Sequence, residues 1–88
     1  MTEPLTFIDL KTTGSNEFED EIIEFGAARL EAGKVTERFS ELARADGPLP
    51  LHVTKRTGIT EEDLRDKPKS RTVLGDFMDF IGKGVLVT

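Results

Sequence analysis

The sequence contains no cysteine, no long apolar run and no excess of positive charge. Without cysteine the chain has no disulfide, no thiolate metal site and no thiol nucleophile, which agrees with a reducing compartment. Its apolar runs are far too short to cross a bilayer, so a membrane protein is not expected. The net charge of −5 argues against broad electrostatic attraction to nucleic acid but not against contact bridged by a metal ion.

What the chain does contain is typical of one small folded domain. Its 88 residues are 36% hydrophobic and 33% charged, as in ordinary soluble globular proteins. Residues 1–4 lack a basic segment followed by an apolar one, so no secretory signal is predicted and a cytoplasmic location is the default. No repeat, low-complexity segment or linker divides the sequence, and we interpret it as a single domain.

Three strands are predicted in the first half of the chain. The first runs from Leu5 to Leu10, and a polar loop follows from Thr12 to Asp20. A longer strand is expected from Glu21 to Leu30, and an alternating segment from Val35 to Leu42 follows a short turn, as a hairpin partner would. The sequence therefore predicts a three-stranded antiparallel meander.

The second of these strands is apolar on both sides. Simple alternation places Ile23, Phe25 and Ala27 on one face of the sheet. The residues predicted on the other face are Ile22, Gly26, Ala28 and Leu30. Both faces are apolar enough for a central strand, which predicts cover on both sides of the sheet.

The second half of the chain predicts short helices. A helical turn is expected over Leu51 to Arg56, and Gly58 can end it by adopting a left-handed conformation. Thr60 can cap the next helix while Asp63 reaches back to the cap, and the acids of this first turn suit the positive end of the helix dipole.

A longer helix is predicted to begin at Ser70, after Pro68. Gly82 and Gly84 are expected to stop it. Its apolar residues follow a three-four spacing that predicts one face packed on the sheet: Val73, Leu74, Phe77, Met78 and Ile81.

The last residues, Val85 to Val87, form a short continuous apolar run that predicts the start of a buried parallel strand. A buried strand at this point leaves one edge of the sheet unpaired and one face without cover. We therefore expect that a further segment completes the fold or that the chain self-associates.

The residues around Asp9 carry most of the functional information. Asp9 ends an apolar strand and enters a small polar turn, and alternate residues of a strand share a face. An acid at position 11 would let two carboxylates hold a divalent cation together. The residue there is Lys11, whose ammonium group has no lone pair and repels a metal ion.

Taken together, these segments resemble the N-terminal half of a DEDD-type 3′ to 5′ exonuclease domain of the DnaQ-like family, which has an RNase H-like fold. The first motif of that family is Asp-x-Glu-x-Thr-Gly, matched by Asp9, Thr13 and Gly14 and departed from at Lys11. The resemblance continues through Glu21 to Ala27 and covers nearly the whole chain. It implies an α/β, RNase H-like domain of which residues 1–88 form the N-terminal part. The members of the family that the chain resembles include the proofreading subunits of bacterial DNA polymerases.

The resemblance also implies a chemistry, namely phosphodiester hydrolysis by two divalent ions, Mg²⁺ or Mn²⁺, held by four acids. Of those acids this chain carries only Asp9, because Lys11 replaces the second and the later motifs are expected beyond Thr88. We therefore expect Asp9 to be a vestigial metal ligand. Lys11 is expected either to pair with Asp9 or to face solvent, and the chain is expected to bind metal weakly or not at all.

Two segments are implied to contact the 3′ end of a nucleic acid, DNA or RNA. For each residue a structural role is the alternative, namely a turn at Thr13 and Gly14, a helix stop at Gly58 and a core position at Ile59. His52 is not expected to be a general base, since no acid partner lies near it in sequence. The implied contact residues are Thr12, Thr13, Gly14, Thr57, Gly58 and Ile59.

Two classes of function follow from this interpretation. In the first, the chain is part of an exonuclease and is inactive alone. In the second, it is a non-catalytic module that binds a nucleic acid or a protein partner. A cluster of basic residues does not decide between the two, because interspersed acids and the lack of aromatics for stacking make a solvated face the better interpretation. The cluster consists of Lys55, Arg56, Arg65, Lys67, Lys69 and Arg71.

Overall fold

The computed structural model describes residues 4–13, 21–82 and 85–87. A four-stranded sheet with the strand order β3-β2-β1-β4 is accompanied by three helices. The elements in chain order are β1 (Leu5–Thr12), β2 (Ile22–Glu31), β3 (Lys34–Leu42), α1 (Leu51–Thr57), α2 (Glu61–Leu64), α3 (Ser70–Ile81) and β4 (Val85–Val87).

The predicted meander is confirmed, since β1, β2 and β3 pair antiparallel in sequence and β2 is central. Thr12 belongs to β1 and not to the predicted loop, most of which lies outside the described residues. Ala32 and Gly33 join β2 to β3 with positive φ angles of 51° and 78°, the conformation that a tight two-residue hairpin requires. β4 pairs parallel with β1, as predicted.

The predicted face assignment of β2 is wrong at two residues, Ile22 and Ile23. The pairing of β1 with β2 shifts between Lys11 and Thr12, so that Thr12 lies opposite Ile22 and Ile23 is left over as a bulge. Because a bulge breaks the alternation of side chains, Ile22 packs with the cluster of Phe25, and Ile23 packs in a second cluster. The second cluster connects the sheet to α1 and α2.

The helix α3 covers one face of the sheet with a narrower stripe than predicted. Val73, Phe77 and Ile81 are buried, whereas Leu74 is 40% and Met78 is 55% exposed. The buried residues are four apart and form one row on the helix surface, and their neighbours in sequence lie about 100° further round. The prediction that Leu74 and Met78 pack on the sheet is therefore wrong for the described residues.

The short helix α1 begins at the predicted residue, Leu51, and ends one residue after the predicted Arg56. Gly58 follows α1 with a φ angle of 80°, and its amide donates to the carbonyl of Thr54. Gly82 ends α3, and Gly84 lies outside the described residues. None of the helices in the part of the chain that the structure describes has the length and apolar character needed to span a membrane.

The cap of α2 gives a prediction about pH. The Thr60 backbone amide donates to the Asp63 carboxylate at 2.9 Å, and the Thr60 hydroxyl accepts from the Asp63 amide at 3.2 Å. Hydrogen bonding from the Thr60 backbone, then from its side chain, lowers the pKa of Asp63. The cap therefore stabilises the fold above the ordinary pKa of 3.8 and loses that effect as pH falls through the lowered value.

We expect the Asp63 carboxyl carbon to titrate below 3.8 in an NMR pH series. In the Thr60→Ala variant its pKa should move back toward that ordinary value, because the hydroxyl that orients the cap is gone. An unchanged Asp63 titration in the variant would show that the side chain of Thr60 contributes nothing.

Candidate nucleic-acid 3′-end site

Asp9 lies on the face of the sheet opposite α3. It pairs directly with Gly26 of β2, and Gly26 pairs with Ser40 of β3. Directly opposed residues of an antiparallel sheet point to the same side. Asp9 is exposed, and among the described residues its carboxylate has no hydrogen bond or ion pair.

Gly26 keeps the surface beside Asp9 open. A Cβ atom at this position would lie 3.3 Å from the Asp9 carbonyl oxygen and 4.0 Å from the Asp9 Cβ. The missing side chain leaves a shallow groove of about 350 Å³ across the sheet, bordered by Asp9, Phe7, Arg38 and Ser40. The groove exposes the Asp9 carboxylate to whatever binds on this face.

Lys11 pairs with an acid on the neighbouring strand. Its Nζ atom lies 3.0 Å from the Glu24 Oε2 atom, and the two residues are directly opposite in β1 and β2. The side chains are 38% and 30% exposed, so the pair is half-buried. The expected partner was Asp9 or solvent; the structure instead gives Glu24, because cross-strand neighbours are closer than next-nearest residues along a strand.

The described residues do not fit a pair of divalent ions. No group of three or more potential metal ligands occurs within residues 4–13, 21–82 and 85–87. Asp9 is one carboxylate, Glu24 is engaged by Lys11, and the Lys11 ammonium adds positive charge where an oxygen ligand is needed.

Two hydrogen bonds join Thr13, after β1, to Glu21, before β2. Its amide donates to the Glu21 carbonyl at 3.0 Å, and its hydroxyl accepts from the Glu21 amide at 3.1 Å. The structural role weighed for Thr13 is thus present, and its contact with a nucleic acid stays a prediction. Gly14, its predicted neighbour in the site, lies outside the described residues.

The segment after α1 is held by its own hydrogen bonds and by the core. The Thr57 hydroxyl donates to the Val53 carbonyl at 2.8 Å and accepts from the Ile59 amide at 3.1 Å. Ile59 is 6% exposed and packs with Val53 and Leu64 in the second cluster. Gly58 is the exposed residue of this segment, so its backbone is open to a ligand.

Arg56 connects the two predicted binding segments. Its Nη2 atom donates to the Thr12 carbonyl oxygen at 3.0 Å, across 44 positions of sequence. The contact brings the end of α1 against the end of β1. The contact links Thr12 to the residue that precedes Thr57, and a nucleic-acid contact of either threonine stays a prediction.

Sequence reasoning did not identify Arg56 or Glu24 as site residues. The sequence predicts that Arg56 belongs to a solvated basic face, and only the fold shows that its guanidinium reaches β1. Glu24 could be found only from the register of β1 against β2, which the residues between the strands do not fix.

The cross-strand pair gives a second prediction. Lys11→Glu should lower the free energy of unfolding by about 0.2–1 kcal/mol, because it places two acids directly opposite each other. The matched variant is the charge reversal Lys11→Glu with Glu24→Lys, which should restore most of the loss. Urea unfolding of the four proteins in the double-mutant cycle measures the coupling, and a coupling of zero would mean that the pair adds nothing.

A family model described as "Exonuclease" matches residues 6–88. Over 80 residues, the chain is 38% identical to the DNA polymerase III subunit epsilon of Aquifex aeolicus. The matched region covers 91% of this chain and 40% of that protein. It is 34% identical over 85 residues to the PolC-type DNA polymerase III of Bacillus subtilis, covering 97% of this chain and 6% of that protein. The chain thus spans less than half the length of these relatives.

Solved structures show the same fold. Exonuclease X, in complex with 5′ overhanging duplex DNA, superimposes with a TM-score of 0.71 at 29% identity over 83% of this chain and 42% of its own. Escherichia coli Exonuclease I, in complex with an oligonucleotide, gives a TM-score of 0.80 at 19% identity over 97% of this chain and 20% of its own. The α/β, RNase H-like architecture expected from the sequence is confirmed.

Proposed function

The chain belongs to the exonuclease family, and on that premise we propose that it is the N-terminal part of a 3′ to 5′ exonuclease domain that does not hydrolyse nucleic acid by itself. The observation that carries this proposal is the Lys11–Glu24 ion pair beside Asp9. The family generally uses divalent metal ions, and the ammonium group stands where a metal-ligand acid is expected.

Electrostatics supports the loss of metal binding. A unit charge about 4 Å from Lys11 is repelled by roughly 1 kcal/mol in water and by about 4 kcal/mol at an effective dielectric constant of 20, and a divalent ion is repelled by twice as much. Glu24 offsets part of this repulsion but is itself engaged. Asp9 alone is a weak ligand set for Mg²⁺ or Mn²⁺.

Release of labelled nucleotides from single-stranded DNA and RNA in Mg²⁺ or Mn²⁺ tests the proposal. We expect no release above that of the Asp9→Ala variant purified in the same way, which controls for contaminating nucleases. Metal-dependent release by the unchanged chain that Asp9→Ala abolishes would contradict the proposal.

A second candidate function is binding of a nucleic-acid 3′ end without hydrolysis. The hydrogen bond from Arg56 to the Thr12 carbonyl favours it, because it draws the two predicted contact segments together without a metal ion. Fluorescence anisotropy in EDTA can test this function with a linear single strand and with the same strand circularised. The linear form should bind at least about tenfold more tightly, and equal affinity would argue against recognition of an end.

We further propose that the exposed apolar surface is covered by a completing segment or by a second copy of the chain. Phe7 is 40% and Met78 is 55% exposed, and they lie on opposite sides of the sheet. Analytical ultracentrifugation should show self-association of this chain. A single monomer boundary together with a sharp cooperative melting transition would contradict this part of the proposal.

A further inference from the structure

We propose that Arg56 is a positioning residue that holds the two halves of the 3′-end site in register through the backbone of Thr12. The inference rests on the proposed binding of a 3′ end. It states that the Arg56 side chain holds the two contact segments in the relative position that this binding requires. Arg56 need not touch the nucleic acid for this role, because it acts through the strand end.

Arg56 contacts β1 at the point where the pairing of the strand is irregular. The regular pairing of β1 with β2 shifts between Lys11 and Thr12, because Ile23 is an extra residue in β2. A bulge kinks the strand and disrupts the adjacent ladder bonds. The guanidinium of Arg56 donates to the Thr12 carbonyl immediately beyond this point, at 3.0 Å.

The helix side of the contact is firmly anchored. Arg56 stands in the last turn of α1, between Val53, which is fully buried, and Gly58, whose amide closes the helix on the Thr54 carbonyl at 2.8 Å. A planar guanidinium carries five N–H donors, and forming one bond leaves the others for solvent or ligand. The contact therefore links Thr12 to the end of α1, two residues before Gly58, through one exposed side chain.

Lys55 provides a matched control. It is adjacent to Arg56, it carries the same charge and it is also exposed, but within the described residues it makes no hydrogen bond or ion pair. Successive helical residues point in different directions, so only one of the two reaches β1. Removing either side chain changes the net charge by the same amount. A difference in affinity between the Arg56 and Lys55 variants therefore reports the contact with Thr12.

The test compares the unchanged chain with Arg56→Met, Arg56→Lys and Lys55→Met in anisotropy titrations. The probe is a fluorescein-labelled single-stranded oligonucleotide with a free 3′ hydroxyl, in EDTA. We expect Arg56→Met to weaken binding about threefold to tenfold more than Lys55→Met does. Arg56→Lys keeps a charged N–H donor group and should recover affinity to within about threefold of the unchanged chain.

A second measurement does not depend on nucleic acid. The Thr13 amide donates to the Glu21 carbonyl, and it should exchange its hydrogen several-fold faster in Arg56→Met than in Lys55→Met. Amides at the centre of β2 should be unaffected in both variants, which separates a local loss from general destabilisation.

The outcomes separate this inference from the function on which it rests. If the unchanged chain binds no oligonucleotide, the binding function fails and amide exchange alone decides the role of Arg56. If the chain binds and Arg56→Met matches Lys55→Met in affinity, the positioning role is overturned. Equal Thr13 exchange in the two variants would overturn it as well.

Discussion

Phe77→Ala is expected to cost about 3–5 kcal/mol of the free energy of unfolding, the largest effect on stability of any change considered. Phe77 is 3% exposed, and its ring lies 5.3 Å from that of Phe25 and 5.7 Å from that of Phe39, measured between centroids. Truncation removes both aromatic contacts and leaves a cavity between α3 and the sheet. A domain of this size has a total stability of roughly 4–13 kcal/mol.

Thermal melting followed by circular dichroism measures this effect. The melting temperature of Phe77→Ala should fall by at least about 12 °C, whereas Met78→Ala, next in sequence and 55% exposed, should melt close to the unchanged chain. Phe77→Leu keeps an apolar side chain and should lose about 1–2 kcal/mol, so the comparison holds even if the alanine variant does not fold. Equal melting of the Phe77 and Met78 variants would contradict the core described here.

The second prediction concerns activity. Lys11→Glu restores the acid of the first motif, yet it is expected to leave this chain without metal-dependent release of nucleotides. The groups of a catalytic unit act together, and restoring one while others are absent recovers little. The resemblance implies a set of four acids, so Asp9 and an acid at position 11 would be half of the set.

The assay for this prediction uses labelled single strands, with Mg²⁺ and Mn²⁺ in separate reactions. The variant with Lys11→Glu and Asp9→Ala together is the control, since any release that survives it comes from a contaminant. Release by Lys11→Glu that disappears in the double variant would mean that the catalytic groups all lie within these 88 residues, against our proposal.

Local signals were sufficient to predict most elements of the fold. The capping arrangement at Thr60 and Asp63, the stop at Gly58 and the start of α3 at Ser70 each depend on a few neighbouring residues, and each is found in the structure. The alternation in β3 and its tight turn likewise placed the hairpin. Each of these features is determined by residues that are close together in the sequence.

Features that depend on register were not predictable from the sequence. The segment that joins β1 to β2 is too long to fix their pairing, so neither the bulge at Ile23 nor the opposition of Lys11 and Glu24 follows from alternation. The three-four pattern of α3 did not separate the buried Phe77 from the exposed Met78, because both fit an apolar face of ordinary width.

The residues of the candidate site were likewise predictable only in part. Asp9 and Lys11 were identified from the motif, and the shared face expected from their spacing agrees with the register of the sheet. Arg56 could not be recognised, because a cation on a short helix is most often solvated and its target is a backbone carbonyl 44 positions away.

The most direct measurement of the central claim is a titration of the unchanged chain with Mn²⁺, followed by paramagnetic broadening of its amide NMR signals. The claim is that the ammonium of Lys11, paired with Glu24, prevents Asp9 from holding a catalytic metal pair. We predict no saturable broadening centred on Asp9 and Gly26. Saturable broadening of those two amides by two ions per chain, abolished by Asp9→Ala, would contradict the account.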